Sequence, residues 1–310
     1  MKLAYLIDGG MNDPLGTGLE LYDQFPQFRE LYAQVADWTG LTVERMQRWE
    51  LPRQQEHEKV GAIRQAAVAF GVADLLAERG IRPTVVAGLS LGCMVGACLV
   101  GAVDREDLFA FLAHKAEAPF PAGPPQAVGA LFAPVDVDVA EFLGGPAEGV
   151  FVAGELGLRS GGKTRAFLIS GYREALEDTQ RVLPDGAMRV AKDVHLAIHS
   201  PLSGPLNEYL APAVAKMNFR DPELSLCSCM EPRMLNSAHD IREMFLRNQV
   251  EPVSLPHLFA NVMRDEPGLG LLLGPAQLEL FLDPLPIPIV QVETPDQLSD
   301  AMTALYELRM

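Results

Sequence analysis

The sequence predicts an α/β fold in which strands alternate with helices around a parallel sheet. Three observations support this fold class. Short aliphatic or β-branched runs alternate with stretches of helical periodicity along most of the chain. Residues 84–100 have the pattern of a strand, a tight glycine turn and a small-residue helix. Between 126 and 191 the predicted order becomes β-α-β-β-α-β, typical of a ferredoxin-like unit, which indicates a small subdomain inserted into a larger domain of residues 1–125 and 192–310.

The chain begins with a predicted buried strand. Residues 2–7 are mostly apolar, as in a parallel strand covered on both faces, and they lead into a glycine loop that contains Gly10. The longest clear helix covers 58–79, where apolar residues recur at helical spacing. The other helices predicted before residue 126 cover 17–38 with a break near Pro26, 42–48, 93–100 and about 104–116, the last opened by Asp104 and Asp107 as an N-cap pair.

A proline-rich segment, 118–125, marks the start of the inserted unit. That unit has predicted strands at 128–132, 150–152, 166–169 and 187–190, and predicted helices at 137–142 and 172–182. The larger domain then resumes, with helices near 203–216, 238–248 and 255–264 and strands near 224–228, 270–273 and 287–292. A predicted capping box of Thr294 and Gln297 opens the terminal helix.

Composition and charge exclude several function classes. The chain has 41 acidic and 25 basic side chains, and its net charge of −16 argues against a nucleic acid or an anionic membrane as the partner. No uncharged apolar run is long enough to span a membrane, and Asp8 comes too early for a signal peptide, so we expect a cytoplasmic protein. The four cysteines lack paired C-x-x-C spacing, which favours reduced core thiols, and we expect no metal.

The stretch Gly88-Leu89-Ser90-Leu91-Gly92 predicts a nucleophile elbow. Gly88 and Gly92 flank Ser90 where side chains would obstruct a sharp strand-to-helix turn, so the hydroxyl can project at the helix N-terminus. The helix dipole and free N–H groups there favour developing negative charge. The pentapeptide by itself is equally compatible with a buried Gly-Ser turn that has no chemical role.

A serine nucleophile needs a base, which is most often a neutral histidine. His195 and His199 lie where the chain returns from the small unit to the large domain, and a cleft is expected there. The positions of the other four histidines are explained by a structural role or by exposure to solvent, without a catalytic role: His57, His114, His239 and His257. The same is true of any single histidine in this chain, so the position of His199 alone does not identify the base.

Taken as a set, these motifs resemble the malonyl-CoA:acyl-carrier-protein transacylase family, which includes discrete and polyketide-synthase acyltransferases of fatty-acid and polyketide biosynthesis. The resemblance rests on the elbow at 88–92, the inserted ferredoxin-like unit, the return motif Ala197-Ile198-His199-Ser200-Pro201-Leu202 and the segment Phe219-Arg220-Asp221-Pro222. It covers nearly the whole chain. It implies an α/β-hydrolase-like large domain.

The resemblance also implies roles for individual residues. The family's nucleophile falls on Ser90 and its general base on His199. The family orients this histidine with a backbone carbonyl, here that of Cys229, or of Ser228 if the register slips by one. Its oxyanion hole uses two backbone N–H groups, and the matching residues here are Leu91 and Gly10.

The positions that select the acyl group depart from the family pattern. Lys115 stands where malonyl-selective members carry an arginine, and lysine keeps the charge without the bidentate fork. Leu89 replaces a histidine, and Cys93 replaces a glutamate after the elbow. Together with Ile198, these changes predict a less polar acyl pocket, which His195 could also help to shape. The acyl group is then either a carboxylated one held by Lys115 or an uncharged or larger one.

Three functions are compatible with these residues. The first is an acyltransferase that moves an acyl group, malonyl by family default, from a coenzyme A or carrier-protein thioester through an acyl-Ser90 ester to the phosphopantetheine thiol of an acyl carrier protein. The second is a thioesterase that hydrolyses acyl carrier protein. The third is an inactive docking protein, against which the retained Ser90 and His199 argue. Coenzyme A or phosphopantetheine would be a substrate, and no permanently bound cofactor is expected.

Overall fold

The computed structural model describes residues 2–10, 16–48, 50, 56–119, 121–143, 148–192, 194–276 and 287–308. Two sheets organise these residues. The larger sheet has six strands: β1 (Leu3–Ile7), β2 (Val85–Gly88), β7 (Ser225–Cys227), β8 (Met234–Leu235), β10 (Leu269–Leu273) and β11 (Ile289–Val292). Their order across the sheet is β11-β10-β1-β2-β7-β8. The strands are parallel except for β8, which pairs antiparallel with β7.

The central strands are apolar because helices cover both faces of the sheet. Every residue of β1, β2 and β10 is buried. The helices of this part are α1 (Leu19–Gln24), α2 (Pro26–Thr39), α3 (Val43–Gln47), α4 (Ala62–Glu78), α5 (Leu91–Leu99), α6 (Arg105–Ala116), α9 (Gly204–Val214), α10 (Ala238–Arg247), α11 (Leu255–Met263) and α12 (Pro295–Glu307).

The longest helix is the core helix of this domain. Within the described ranges, the segment 59–78 is the single helix long and apolar enough to cross a membrane by length and composition, and most of it is buried inside the protein. It packs on α2, α5 and β10. A single π-helical turn, His57–Gly61, precedes it.

The second sheet has the order β6-β3-β5-β4-β9. Its strands are β3 (Gln126–Pro134), β4 (Val150–Arg159), β5 (Thr164–Tyr172), β6 (Met188–Val190) and β9 (Val253–Ser254), with helices α7 (Val139–Phe142) and α8 (Arg173–Val182). It has its own small apolar core, centred on Leu131, Phe167, Ile169 and Leu176. The short strand β9 comes from the later part of the chain and pairs parallel with β4, so it connects the small unit to the large one.

We propose residues 126–191 as the inserted subdomain and residues 1–125 and 192–310 as the large domain. The antiparallel pairing of β3 with β5 and β6, and of β4 with β5, supports this division, because these four strands are consecutive in the chain. The separate apolar core of the small sheet also supports it.

Several elements differ in detail from the sequence predictions. The segment 153–163, predicted as a loop after a three-residue strand, instead extends β4 to Arg159 and forms a hairpin with β5. Two register shifts in β4, next to Gly154 and Gly157, interrupt the alternation that would have revealed a long strand. The two-residue strands β8 and β9 were not predicted, since so short a segment has no periodicity.

The predicted helix caps have mixed outcomes. Thr294 and Gln297 form the predicted capping box at the start of α12. Asp104 occupies the N-cap position of α6, but its side chain makes no capping hydrogen bond. Its carboxylate instead accepts two hydrogen bonds from the Arg220 guanidinium, at 3.0 and 2.6 Å. The predicted position of Asp104 at the start of α6 is therefore confirmed, but a charged partner from a distant segment takes the oxygens that a side-chain cap would use.

Candidate active site

Ser90 lies at the turn between β2 and α5, in a strained backbone conformation. Its φ of 52° and ψ of −111° are values that residues with a side chain rarely adopt. A Cβ on Gly88 would overlap the backbone of Gly92, and a Cβ on Gly92 would overlap the carbonyl oxygen of Ile7. The two glycines are thus required for the sharp turn, as the sequence predicts.

His199 lies directly opposite this serine. Its Nε2 atom is 2.9 Å from Ser90 Oγ, although 109 positions separate the two residues in the chain. His199 is buried and also has a positive φ, 54°. Its backbone N–H donates to the carbonyl of Gln249 at 2.9 Å, which holds the segment in this conformation.

Polar side chains of the small sheet hold the segment that carries His199. Gln126 Oε1, on β3, accepts from the Ala197 N–H at 2.9 Å, and Ser170 Oγ, on β5, donates to the Ile198 carbonyl at 2.6 Å. Both side chains belong to buried residues. The inserted unit therefore fixes the imidazole relative to an elbow built by the large sheet.

The environment of His199 favours the neutral imidazole. Burial and the nearby positive charge of Lys115 lower the pKa of His199 to about 4, while backbone groups of Glu251 and Asn248 oppose the shift. At neutral pH the ring is therefore uncharged and Nε2 can accept the Ser90 proton when Nδ1 carries the hydrogen. This is the state that a general base requires.

The predicted orienting carbonyl is not the one that lies beside the imidazole. The Cys229 carbonyl accepts the N–H of Ser254 at 2.6 Å, and the Ser228 carbonyl accepts from Asn261 Nδ2 at 3.2 Å. The backbone groups next to the ring are those of Asn248 and Glu251, in the loop after α10. The Cys229 carbonyl is therefore not among the backbone groups that act on the imidazole, which belong to Asn248 and Glu251.

The two predicted oxyanion donors lie on adjacent segments. Leu91 is the first residue of α5, and the N–H groups of a first helical turn have no partner within their own helix. A Cβ on Gly10 would lie 3.2 Å from the Leu91 side chain, so the glycine loop approaches the elbow closely. Gln65, on α4, donates to the Gly9 carbonyl at 2.6 Å and thereby holds this loop.

Ser90 and His199 both line a cavity of about 120 Å³. Its wall is mostly apolar and includes Gly10, Lys59, Ala62, Ile63, Ser90, Leu91, Met94, Leu112, Lys115, Val194, Leu196, Ile198, His199, Asn248 and Gln249. The predicted Lys115 and Ile198 are among them. Burial lowers the pKa of Lys115 to about 8, so the ammonium is the main form at neutral pH.

Leu89 and His195, which were also predicted in the acyl pocket, are not among the described residues of its wall. Leu89 is buried, and its Cδ2 would lie 3.8 Å from a Cβ on Gly9. The side chains that line the cavity from the return segment are 194, 196 and 198, an alternation typical of extended chain. His195 falls between these positions, and His199 lines the cavity with a positive φ.

Several residues at this site had no signal in the sequence. Lys59, Gln65, Gln126, Ser170 and Gln249 contribute to it through the fold alone, and none belongs to a recognisable motif. Glutamine and serine side chains that hold backbone carbonyls or N–H groups are common everywhere in proteins. A single sequence therefore does not distinguish these five residues from the residues of the same types elsewhere in the chain.

Removing the charge of Lys115 is expected to change the pH dependence of acylation. Because this ammonium lowers the pKa of His199, Lys115→Met raises that pKa toward its ordinary value. The acidic limb of kcat/KM for acylation by an uncharged acyl thioester then moves to higher pH, since the rate falls as His199 becomes protonated. The measurement is the acylation rate from about pH 4 to pH 7.

Lys216→Met, which removes an exposed lysine that is not among the described residues of the cavity wall, is the control and should leave the acidic limb at the wild-type pH. Circular dichroism at each pH separates a change of titration from loss of fold. An acidic limb that does not move in Lys115→Met would show that the lysine has no electrostatic influence on the base.

The chain is similar in sequence to several known proteins. No family model matches the chain. The chain is 25% identical over 291 residues to the polyketide synthase GfsB of Streptomyces halstedii, a match that covers 87% of this chain and 5% of that protein. It is 22% identical over 263 residues to the malonyl CoA-acyl carrier protein transacylase of Escherichia coli, covering 81% of this chain and 82% of that enzyme. The chain thus spans only a small part of the polyketide synthases that it matches.

Solved structures share the fold. A malonyl-transacylase in complex with a type II polyketide-synthase acyl-carrier protein superposes with a TM-score of 0.84 at 18% identity, covering 98% of this chain and all of that chain. This similarity confirms the predicted fold class, an α/β large domain with a small subdomain. By sequence similarity and by fold, the predicted resemblance to the malonyl-CoA:acyl-carrier-protein transacylase family is confirmed.

Proposed function

We propose that this protein is an acyltransferase that moves an acyl group from a coenzyme A or carrier-protein thioester to the phosphopantetheine thiol of an acyl carrier protein. One observation carries the proposal. Ser90 Oγ, on a strained turn, lies 2.9 Å from the Nε2 atom of a buried histidine whose pKa is well below neutrality, inside a mostly apolar cavity. This is the arrangement of an activated serine nucleophile and its base.

In the first half-reaction, His199 Nε2 takes the proton of Ser90 Oγ as that oxygen attacks the thioester carbonyl carbon. The N–H groups of Leu91 and Gly10 stabilise the negative charge that develops on the carbonyl oxygen. The carbon–sulfur bond then breaks, and His199 returns its proton to the departing sulfur. The products are a free thiol and an acyl ester on Ser90.

The second half-reaction reverses these roles. His199 takes the proton of the acceptor's phosphopantetheine thiol, whose sulfur attacks the ester carbonyl. The carbon–oxygen bond to Ser90 breaks, and His199 returns the proton to the serine oxygen. The same base and the same oxyanion donors therefore serve both directions, and no permanently bound cofactor is required.

The comparisons support transfer as the outcome. The similar proteins include a malonyl CoA-acyl carrier protein transacylase and a malonyl-transacylase in complex with its acyl-carrier protein. We therefore propose an acyl carrier protein as the partner. We also propose that the two proteins interact in the cytoplasm. The alternative of hydrolysis, which the sequence left open, has no support among these relatives.

The test follows a labelled acyl group. The protein is incubated with radiolabelled malonyl-CoA or butyryl-CoA and an unacylated holo carrier protein, and the label is located after separation. We expect it on the carrier protein and, when the acceptor is omitted, on the enzyme at about one acyl group per chain. Label that accumulates as free acid at the same rate, with or without the acceptor, would contradict transfer and indicate a thioesterase.

A further inference from the structure

The loop that carries the Gly10 N–H leaves the end of β1 beside the nucleophile elbow. The parallel pairing of β1 with β2 sets Ile7 opposite Gly88, so both strands end at the same edge of the large sheet. The Leu89 N–H donates to the Ile7 carbonyl at 3.0 Å. Gly10 lines the same cavity as Ser90, so the direction of its N–H depends on a few residues of loop backbone.

A buried amide on α4 binds this loop. Gln65 is 2% exposed, and its Nε2 donates to the Gly9 carbonyl at 2.6 Å and to the Asp8 carbonyl at 3.3 Å. Because these two acceptors lie on one side of the amide, its nitrogen and not its oxygen must face the loop. The Asp8 carboxylate accepts the Gly9 N–H at 2.7 Å. Side chains therefore hold both backbone polar groups of Gly9.

The Gly9 carbonyl and the Gly10 N–H belong to one planar peptide group. In a trans peptide the C=O and N–H bonds point in opposite directions, and the described residues contain no cis peptide bond. The hydrogen bond that fixes the direction of the Gly9 carbonyl therefore also fixes the direction of the Gly10 N–H. Within the described part of the chain this N–H donates to no other group, so it is available to a ligand in the cavity.

Two consecutive glycines need this support. Glycine has no Cβ and has wide backbone freedom, so residues 9 and 10 do not hold their shared peptide by side chains of their own. An oxyanion donor is effective when it is held in advance at about 2.7–3.1 Å from the developing negative charge. A hydrogen bond accepted by the carbonyl also polarises the peptide, which strengthens the N–H as a donor.

Packing alone does not explain an amide at this position of α4. The next four residues of the helix are buried and apolar: Ala66, Ala67, Val68 and Ala69. The Gln65 Oε1 atom is buried and has no hydrogen-bond partner among the described residues, which costs folding free energy. An apolar side chain of similar volume would avoid that cost, so the amide indicates a role other than stability.

We propose that Gln65 is a positioning residue that directs the Gly10 N–H toward the carbonyl oxygen of the reacting thioester. This inference rests on the proposed acyltransferase function, in which that N–H stabilises the charge on this oxygen. Gln65 is not among the described residues of the cavity wall, and it acts through the peptide that joins Gly9 to Gly10. Because the oxygen becomes negative only in the transition state, Gln65 contributes to the rate of acylation and not to donor binding.

The test measures the rate of Ser90 acylation by rapid quenching and intact mass over a range of donor concentrations. The donor is malonyl-CoA or butyryl-CoA, whichever acylates the wild-type chain. Gln65→Met keeps a side chain of similar length and removes the hydrogen-bond donor. We expect its maximal rate constant to fall about ten- to a hundredfold, while the half-saturating donor concentration changes by less than about twofold.

Val72→Ala is the matched control, since it removes buried apolar atoms from α4 about two helical turns further along. It should lower the thermal unfolding temperature and keep the maximal rate constant. Gln34→Met, on an exposed glutamine of α2, should change neither. A wild-type maximal rate constant in Gln65→Met would overturn the proposal. So would a loss confined to the half-saturating concentration, or an equal loss of rate in Val72→Ala.

A second variant decides the question even if Gln65→Met does not fold. The carboxyl group of Gln65→Glu can donate to the Gly9 carbonyl only when it is protonated, and burial raises the pKa of a carboxyl group. We expect its rate, divided by the wild-type rate at the same pH, to rise as the pH falls from about 8 to about 5.5, where His199, with a pKa of about 4, is still neutral. A ratio that stays constant over this range would contradict the proposal.

Failure of this inference is distinguishable from failure of the proposed function. If no donor acylates Ser90 in the wild-type protein, the acyltransferase proposal itself fails. If the wild-type protein is acylated and the Gln65 variants keep its maximal rate constant, only the role of Gln65 is wrong.

Discussion

Ser90→Ala is expected to remain unmodified after incubation with any acyl thioester that acylates the wild-type chain. The mutation removes only the oxygen that lies 2.9 Å from His199 Nε2. It leaves the elbow glycines, the base and the cavity in place. Acyl transfer should fall by about 10⁴-fold or more, because a missing nucleophile removes the covalent route altogether. Intact-mass spectrometry measures the fraction of acylated chains, and the transfer assay measures turnover.

The control for this experiment is Ser299→Ala, which removes an exposed hydroxyl on α12 and should be acylated like the wild type. Thermal unfolding of both variants checks that the fold is kept. An acyl group that still attaches to Ser90→Ala at the wild-type rate, located by peptide mapping, would identify a different nucleophile. In that case the elbow would be a structural turn, the alternative that the pentapeptide allows.

His199→Ala should slow acylation without abolishing it. The serine and the two backbone donors remain, so the loss is that of a general base, roughly 10² to 10⁴-fold. The acyl-enzyme is expected to form at about one per chain, but only after much longer incubation. Added imidazole should restore part of the rate, because the mutation empties the space that the buried ring occupies next to Ser90 Oγ.

His239→Ala is the matched control, since it removes an exposed imidazole on α10 that has no contact with the cavity wall. The initial rates of acylation are compared by quenching samples for mass measurement at short times. A rate for His199→Ala equal to that of the control would mean that another group accepts the serine proton. The short distance between Nε2 and Oγ would then have no catalytic meaning.

The elements of the fold were largely predictable where the sequence is periodic. The buried strand β1, the core helix α4 and the capping box at Thr294 appear as the residue pattern predicts. The prediction failed where the pattern is interrupted or too short, as in the bulged hairpin of β4 and β5 and in the two-residue strand β9. Such segments are specified by their pairing partners rather than by their own periodicity.

The residues of the candidate site were likewise predictable where they belong to a local pattern and unpredictable where they depend on distant segments. Ser90 could be singled out because a serine between two glycines is a local pattern, and the structure explains both glycines by backbone overlap. The identity of the base depended on the family resemblance, since the imidazole comes from 109 positions away. Leu89 and His195 are not among the described residues of the cavity wall, and the backbone groups that act on the imidazole are those of Asn248 and Glu251 instead of Cys229. The direction of a side chain or carbonyl depends on backbone angles that a single sequence does not reveal.

The sequence by itself determined the class of fold and the strand-turn-helix elbow, and its net charge argues against a nucleic acid or an anionic membrane as the partner, because each is a local or summed property of the chain. Only the tertiary structure decided which backbone groups surround His199 and which side chains line the cavity that contains it. The physical reason is that contacts between distant segments arise from packing and from hydrogen bonds such as those of Gln126 and Ser170. The residues that make these contacts have no common spacing in the sequence.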